Sequence, residues 1–258
     1  PFFVYEWTMK TKQLFVSVLL FVLCGLPAPA FQFSPIVVDF EASGPGARQT
    51  FRLTNPNADS IPVEITVFER RMTDDGQDVL EPSDDFVVFP AQAIVAAESS
   101  RVVRVQYVGP ADIDTEQAYR IIAEQLPVDL EAVEEGAARL NLLFRYVGSI
   151  YVVPPGAASN IQIESVERVE VDGAPSIALE LHNDGNAHGI LEDLVVELST
   201  RPFGSTDEIV RLEGDELEGM RNQNILAGHT RRFVLPLPTE LQLTSGRLNA
   251  RMSYSPTR

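Results

Sequence analysis

Between Arg139 and Val153 the chain runs for fifteen residues without a proline, against about five or six for an ordinary strand, and it is apolar on both sides. Extended, it places Leu140, Leu142, Phe144 and Tyr146 on one face and Asn141, Leu143, Arg145 and Val147 on the other. A strand that closes half of a core needs one apolar face only. Bulky groups on the second face imply a second packing layer, which is either another sheet of the same chain or a partner chain. Periodicity leaves both open.

The rest of the chain predicts an all-β fold. Short β-type runs at Ile36 to Phe40, Gln49 to Leu53, Pro62 to Arg71, Phe86 to Pro90, Ser100 to Tyr107 and Tyr119 to Pro127 are separated by turn chemistry such as Asn55-Pro56-Asn57 and Asp74-Asp75-Gly76. Within them Phe51 and Leu53 alternate with Thr50 and Arg52, and Val63, Ile65 and Val67 with Glu64 and Thr66, so each strand turns one face inward. Pro154-Pro155-Gly156 breaks the pattern, and a second set follows at Ile161 to Val171, Ser176 to His182, Ile190 to Ser199, Glu208 to Leu212, Thr230 to Leu235 and Leu248 to Tyr254. Two antiparallel sandwiches are expected, over residues 31–154 and 155–258. Serious helical potential is confined to Val128 to Ala138, and the acidic stretch Asp129 to Gly136 reads better as a solvated loop. Gly44-Pro45-Gly46 reads as a hairpin turn.

Residues 1–30 stand apart from this fold. Met9, Lys10 and Lys12, the apolar run Leu14 to Leu26 and the small-residue pattern Ala28-Pro29-Ala30 read as a secretory signal, with Pro1 to Thr8 upstream of it. Leu23 before Cys24 argues against lipidation, and no later run approaches the about 20 apolar residues that span a bilayer, so no membrane insertion is expected after cleavage. Cleavage would remove the single cysteine and both lysines, leaving 18 arginines against 36 carboxylates, a formal charge of −18. So acidic a chain repels nucleic acid and anionic surfaces, and its only adjacent basic pairs are Arg70-Arg71 and Arg231-Arg232. No nucleic-acid partner is expected.

No enzymatic chemistry is legible. The mature chain would have no cysteine, no Gly-x-Ser-x-Gly and no histidine in its first domain. His182 and His188 flank Asn183-Asp184-Gly185-Asn186, which polar turn formation explains without a metal. Asp74-Asp75, Asp84-Asp85 and Glu134-Glu135 sit in turn-like stretches. No catalytic residue, metal or cofactor is expected.

Several segments resemble the periplasmic pilus-assembly chaperones of the PapD-like family. Phe51-Arg-Leu-Thr-Asn55-Pro is similar to the family's second strand and its turn, and Phe86 to Pro90 with Arg101 to Val105 to the region around its Arg-Val strand. Tyr119 to Pro127 is similar to the strand that ends in Leu-Pro, and Arg139 to Pro154 to the long strand that ends at the domain joint. In the second domain Leu181-His-Asn183 and Ala227 to Phe233 carry the likeness. The resemblance implies two immunoglobulin-like domains in an L-shaped arrangement. Its mechanism is donor-strand complementation: the long strand fills the groove of a pilus subunit that lacks its last strand, before delivery to an outer-membrane usher. Leu140, Leu142, Phe144 and Tyr146 occupy the donor positions. The family's cleft holds the subunit's terminal carboxylate with an arginine and a lysine, whereas the matching places here are Pro35 and Ser149. Arg145, on the face of Ser149, and Arg120, on the strand expected beside it, are the candidate replacements, which marks a divergent branch. The alternative is a secreted structural or adhesive sandwich that keeps every strand for itself.

Overall fold

The computed structural model describes residues 30–127, 142–204, 209–242 and 247–257. Before Pro154 lie β1 (Gln32–Ser34), β2 (Val37–Glu41), β3 (Arg48–Asn55), β4 (Ile61–Met72), β5 (Asp78–Pro82), β6 (Phe86–Phe89), β7 (Gln92–Val95), β8 (Ser99–Tyr107), β9 (Gln117–Gln125) and β10 (Arg145–Val153). After it come β11 (Ile161–Val171), β12 (Ala174–Asn183), β13 (Gly189–Ser199), β14 (Val210–Glu213), β15 (Asn224–Ile225), β16 (Thr230–Pro236), the short helix α1 (Thr239–Gln242) and β17 (Asn249–Thr257). The helical potential between Val128 and Ala138 lies outside the described residues.

The strands form two immunoglobulin-like sandwiches. In the first, a sheet of order β1-β3-β8-β6 faces one of order β2-β10-β9-β4-β5, to which β7 adds by pairing with β4. In the second, β11-β12-β16 faces a sheet centred on β13, which pairs with β14, β15 and β17. Alternation puts Phe51, Leu53, Val63, Ile65, Val103, Val105, Ile121 and Ile150 into one continuous core, and Ile177, Leu179, Leu181, Leu191, Val196 and Leu198 into the other.

Two expectations need correction. Gly44-Pro45-Gly46 is not a hairpin turn, because β2 and β3 belong to different sheets and a 3-10 turn at Pro45–Ala47 carries the chain across. Gly44 enters that turn at φ +75°, a conformation that favours glycine. The strand expected from Arg139 begins only at Arg145; β9 ends at Gln125, whose N–H donates to the Phe144 carbonyl at 2.9 Å and closes the ladder there.

One buried asparagine locks a turn in each sandwich. The Asn55 amide donates to the carbonyls of Asp59, Val95 and Ala96, and its oxygen accepts from the Asn57 main chain and side chain. Asn183 does the same with the carbonyls of Ala187 and Ile225 and the N–H groups of Asn160 and Gly185. Both side chains are fully buried, so losing either leaves main-chain groups without partners, at about 1–3 kcal/mol. Asn55→Ala is expected to lower the urea-unfolding free energy by about 2 kcal/mol or more; an unchanged midpoint would show that water replaces the amide.

Candidate functional site

Strand β10 is covered unequally along its two edges. Along one it pairs antiparallel with β9 from Arg145 to Val152; along the other it pairs parallel with β2 only from Ser149 to Val153. The first bond on that second side runs from the Ser149 N–H to the Ile36 carbonyl at 2.7 Å. Since main-chain groups alternate between edges, those of Arg145 and Val147 point to the side that β2 leaves, among the described residues, without strand pairing.

Inward-facing positions along β10 grade from core to solvent. Val152 and Ile150 are fully buried and Gly148 is buried, with its α-carbon so close to the Ile36 carbonyl that a β-carbon would lie 2.8 Å from it. Tyr146 packs edge-on to Phe31, 4.8 Å between centroids, and its hydroxyl donates to the Phe31 carbonyl. Phe144 rests partly buried against the same core, and Leu142 is 53% exposed. On the opposite face Leu143 and Val147 are exposed too. Of the four residues expected on the donor face, Tyr146 is thus committed to this domain's own core, Phe144 stands at its rim and Leu142 projects beyond it; Leu140 lies outside the described residues.

The two candidate arginines part company. Arg120 sits directly opposite Ser149 in the β9–β10 register and donates from Nη1 to the Ser149 hydroxyl. Its Nε donates to Asp78 Oδ2 at 2.6 Å, while Asp78 Oδ1 accepts from Arg70 Nε at 2.7 Å. Burial raises the Asp78 pKa, but its bonds to Arg120 and Arg70 and their charges outweigh that and hold the carboxyl below its ordinary value. Arg145 instead lies opposite Glu124, 3.7 Å away and exposed, four residues along both strands from the Ser149–Arg120 pair. Arg145 and Glu124 form a solvated pair, whereas Arg120 belongs to a built cluster.

That cluster continues into the second sandwich through Tyr151. Arg70 Nη1 donates to the Tyr151 hydroxyl at 3.2 Å, which also accepts from Asn224 Nδ2 at 2.8 Å. The Tyr151 ring stacks on His188 at 3.8 Å between centroids. His188 in turn donates from its main-chain N–H to Glu116 Oε1 at 3.1 Å, and its Nδ1 lies 2.7 Å from the same oxygen. A second bridge starts from the β4–β5 turn: the Arg232 N–H donates to the Asp74 carbonyl at 2.7 Å, and Arg231 reaches the Asp75 carbonyl. Gly76, at φ +85°, lies so close under the Arg231 guanidinium that a β-carbon would be 2.0 Å from it. Arg70, Asp78, Tyr151, Glu116 and His188 were not legible as a group, because the register that gathers them joins β4, β5, β9 and β10 with loops of the second sandwich. Asp78 is thus shared by two arginines, while the second carboxylate of the cluster, Glu116, is turned to His188.

Residues 31–158 match the model of the pili and flagellar-assembly chaperone family, PapD N-terminal domain. No curated protein matches the sequence. Among solved structures, the chain is similar to one of a CsuC–CsuE chaperone–tip adhesion subunit pre-assembly complex from the archaic chaperone–usher Csu pili of Acinetobacter baumannii. The TM-score is 0.54 at 17% identity, over 81% of this chain and 89% of that one. It is also similar to the class 5 fimbriae chaperone CfaA, with a TM-score of 0.52 at 15% identity, over 88% of this chain and all of that one. At such identities the likeness is one of fold, and it extends over both sandwiches. With its first sandwich matched by that family and the whole folded as these chaperones are, the chain belongs to the PapD-like pilus-assembly chaperones.

Proposed function

We propose that this protein is a periplasmic chaperone that binds pilus or pilus-like subunits by lending them the start of β10, and passes them to an outer-membrane usher. The supporting observation is the unequal covering of β10: a main-chain edge without strand pairing among the described residues lies beside a row of apolar side chains that leaves the core residue by residue. A subunit strand laid on that edge would bond to the main chain of Arg145 and Val147, with Leu142 and Phe144, and Leu140 before them, filling its groove. Tyr146 closes the chaperone's own core at the point where the subunit's core begins. The sandwich boundary belongs at Pro154-Pro155, directly after β10.

The anchor for an anionic end of the subunit is Arg120. Asp78 fixes its Nε and the Ser149 hydroxyl its Nη1, which holds the guanidinium at the register position where β2 first joins β10. A guanidinium so held loses little freedom on pairing with a carboxylate in two parallel bonds.

Leu142→Arg is expected to leave the fold intact, since the side chain is already 53% exposed, and to weaken subunit capture by about 10- to 100-fold, the equivalent of one buried aliphatic side chain. Co-purification with a tagged subunit measures this; undiminished capture would sink the donor-strand reading. Arg120→Ala is expected to cost about tenfold or more in subunit affinity, and Arg145→Ala to change it by less than about threefold; equal losses would remove Arg120 from the anchor.

Asp78 gives a pH signature. Its folded pKa is depressed, so its contribution is present above the unfolded value of about 3.9 and is lost as pH falls through the lower folded one. The stability gap between wild type and Asp78→Asn in urea should therefore stay constant from about pH 5 to pH 8 and close below about pH 4. A gap unchanged into that acidic range would mean that Asp78 does not clamp the arginines as a carboxylate.

A further inference from the structure

The joint between the sandwiches holds a cavity of about 280 Å³, built from the end of β4, the start of β9 and the turn between β15 and β16. Glu116 lines it, with its side chain only 1% exposed. Oε1 of that carboxylate accepts the His188 main-chain N–H and lies against His188 Nδ1, whereas Oε2 is buried with no hydrogen-bond partner. Buried polar atoms are almost always paired, so an orphan of this kind marks a missing partner. His229, on the β15–β16 turn, supplies a second acceptor. Its Nδ1 lies 2.9 Å from the Ala227 carbonyl; a carbonyl only accepts, so Nδ1 carries the hydrogen and Nε2 of the neutral ring keeps a lone pair. Ala118, Leu226 and Ala227 make one wall apolar, and the first two belong to the small cluster around Tyr151 and Met72 that joins the sandwiches.

Charge balances in the lining: the carboxylates of Glu69 and Glu116 stand against the guanidinium groups of Arg70 and Arg71. Arg70 is committed to Asp78 and Tyr151. Arg71 is 60% exposed and holds Glu69 at 3.3 Å, a contact with which water competes, so its guanidinium can turn to a second carboxylate. A neutral lining with separated charges suits a zwitterion. Among the described residues no three His, Cys, Asp or Glu side chains are grouped to hold a metal, so the two acceptors call for an N–H donor. One water would satisfy Oε2, yet the cavity has room for about nine at about 30 Å³ each, and one wall is apolar. Its volume falls at the small end of organic-ligand sites, which start at about 300 Å³. We propose that this cavity binds a small aliphatic zwitterion, an α-amino acid or dipeptide, whose ammonium donates to Glu116 Oε2 and His229 Nε2 and whose carboxylate meets Arg71. No β10 residue lines the cavity, so the inference stands apart from the donor-strand reading.

The test titrates the 15N-labelled chain, from Phe31 onward, with three probes: L-leucine, N-acetyl-L-leucine, which lacks the ammonium, and L-leucinamide, which lacks the carboxylate. L-leucine is expected to shift the amides of Thr115 to Ala118 and of Leu226 to His229 saturably, with a Kd of about 0.1–10 mM, as befits a ligand of so few atoms. N-acetyl-L-leucine should bind at least about tenfold more weakly, and L-leucinamide several-fold more weakly. Arg71→Ala should bring L-leucine down to the level of L-leucinamide, and because that side chain is exposed the variant should fold. Glu116→Gln should cost L-leucine about tenfold or more. Since Glu116 also holds His188 across the joint, a thermal unfolding scan checks that variant, and the three probes on the wild type test the ammonium contact without it. No saturable shift with L-leucine up to about 50 mM, well above the expected range, would leave the cavity to water and overturn the proposal. So would equal binding of N-acetyl-L-leucine, or shifts confined to β10.

Discussion

The inequality between the two edges of β10 shapes the first sandwich more than any single contact. β9 accompanies β10 along nearly its whole length, whereas β2 joins it only at Ser149, because the chain ahead of β2 is engaged elsewhere. β1 pairs with β3 in the opposite sheet, and a cis Ser34-Pro35 bond lies between β1 and β2. One N-terminal segment therefore serves both sheets in turn and, among the described residues, leaves the start of β10 without a strand on that side where it changes over. An open edge is an aggregation hazard. Here the inward face grades from fully buried Ile150 to exposed Leu142, so the exposed apolar row is continuous with the core rather than a separate patch.

The same strand also ties the sandwiches together, through its other face. Tyr151 presents its hydroxyl to Arg70 and Asn224 and its ring to His188, so a β10 residue two positions beyond the Arg120–Ser149 contact is bonded to the second sandwich. Asp78 completes the chain of bonds by holding Arg70 and Arg120 at once. Arg120 and Asn224 are thus joined by an unbroken chain of hydrogen bonds through Asp78, Arg70 and the Tyr151 hydroxyl. Arginine suits each link, since its planar fork can serve two partners without losing its charge, which a lysine ammonium does less well.

The strands were largely legible because each carries a period of two between turn residues. Pro62 to Arg71, for instance, becomes β4 with Val63, Ile65 and Val67 inward. β1, β5, β7 and β15 were missed, being short segments whose pairing is decided by distant partners rather than by their own pattern. The Asn55 turn was visible as a turn, but not as a buried hub of five hydrogen bonds. At the site, the contact of Arg120 with the Ser149 position followed from reading β9 beside β10, while Arg145, on the same face as Ser149, finds Glu124 four residues away. Parity along a strand says which face a residue takes; only register says what it meets there.

Register also explains where positive charge collects. Adjacent pairs were the basic features visible in the linear order, yet Arg70 and Arg71 point to opposite faces of β4, one buried against Asp78 and the other exposed beside Glu69 and Glu81. Arg48, Arg52 and Arg104, dispersed in sequence, share one sheet face instead. Among the described residues the fold thus gathers arginines in two places, the cleft beside Tyr151, where Asp78 and Glu116 accompany them, and the outer face of the opposite sheet. The two differ in kind. In the cleft, Asp78 already neutralises one of two arginines and fixes the geometry of both, which favours a single carboxylate in a defined orientation. On the sheet face, Arg48 donates from Nε to the Gln106 side chain at 3.3 Å, and Arg52 and Arg104 are exposed along the pleated strands.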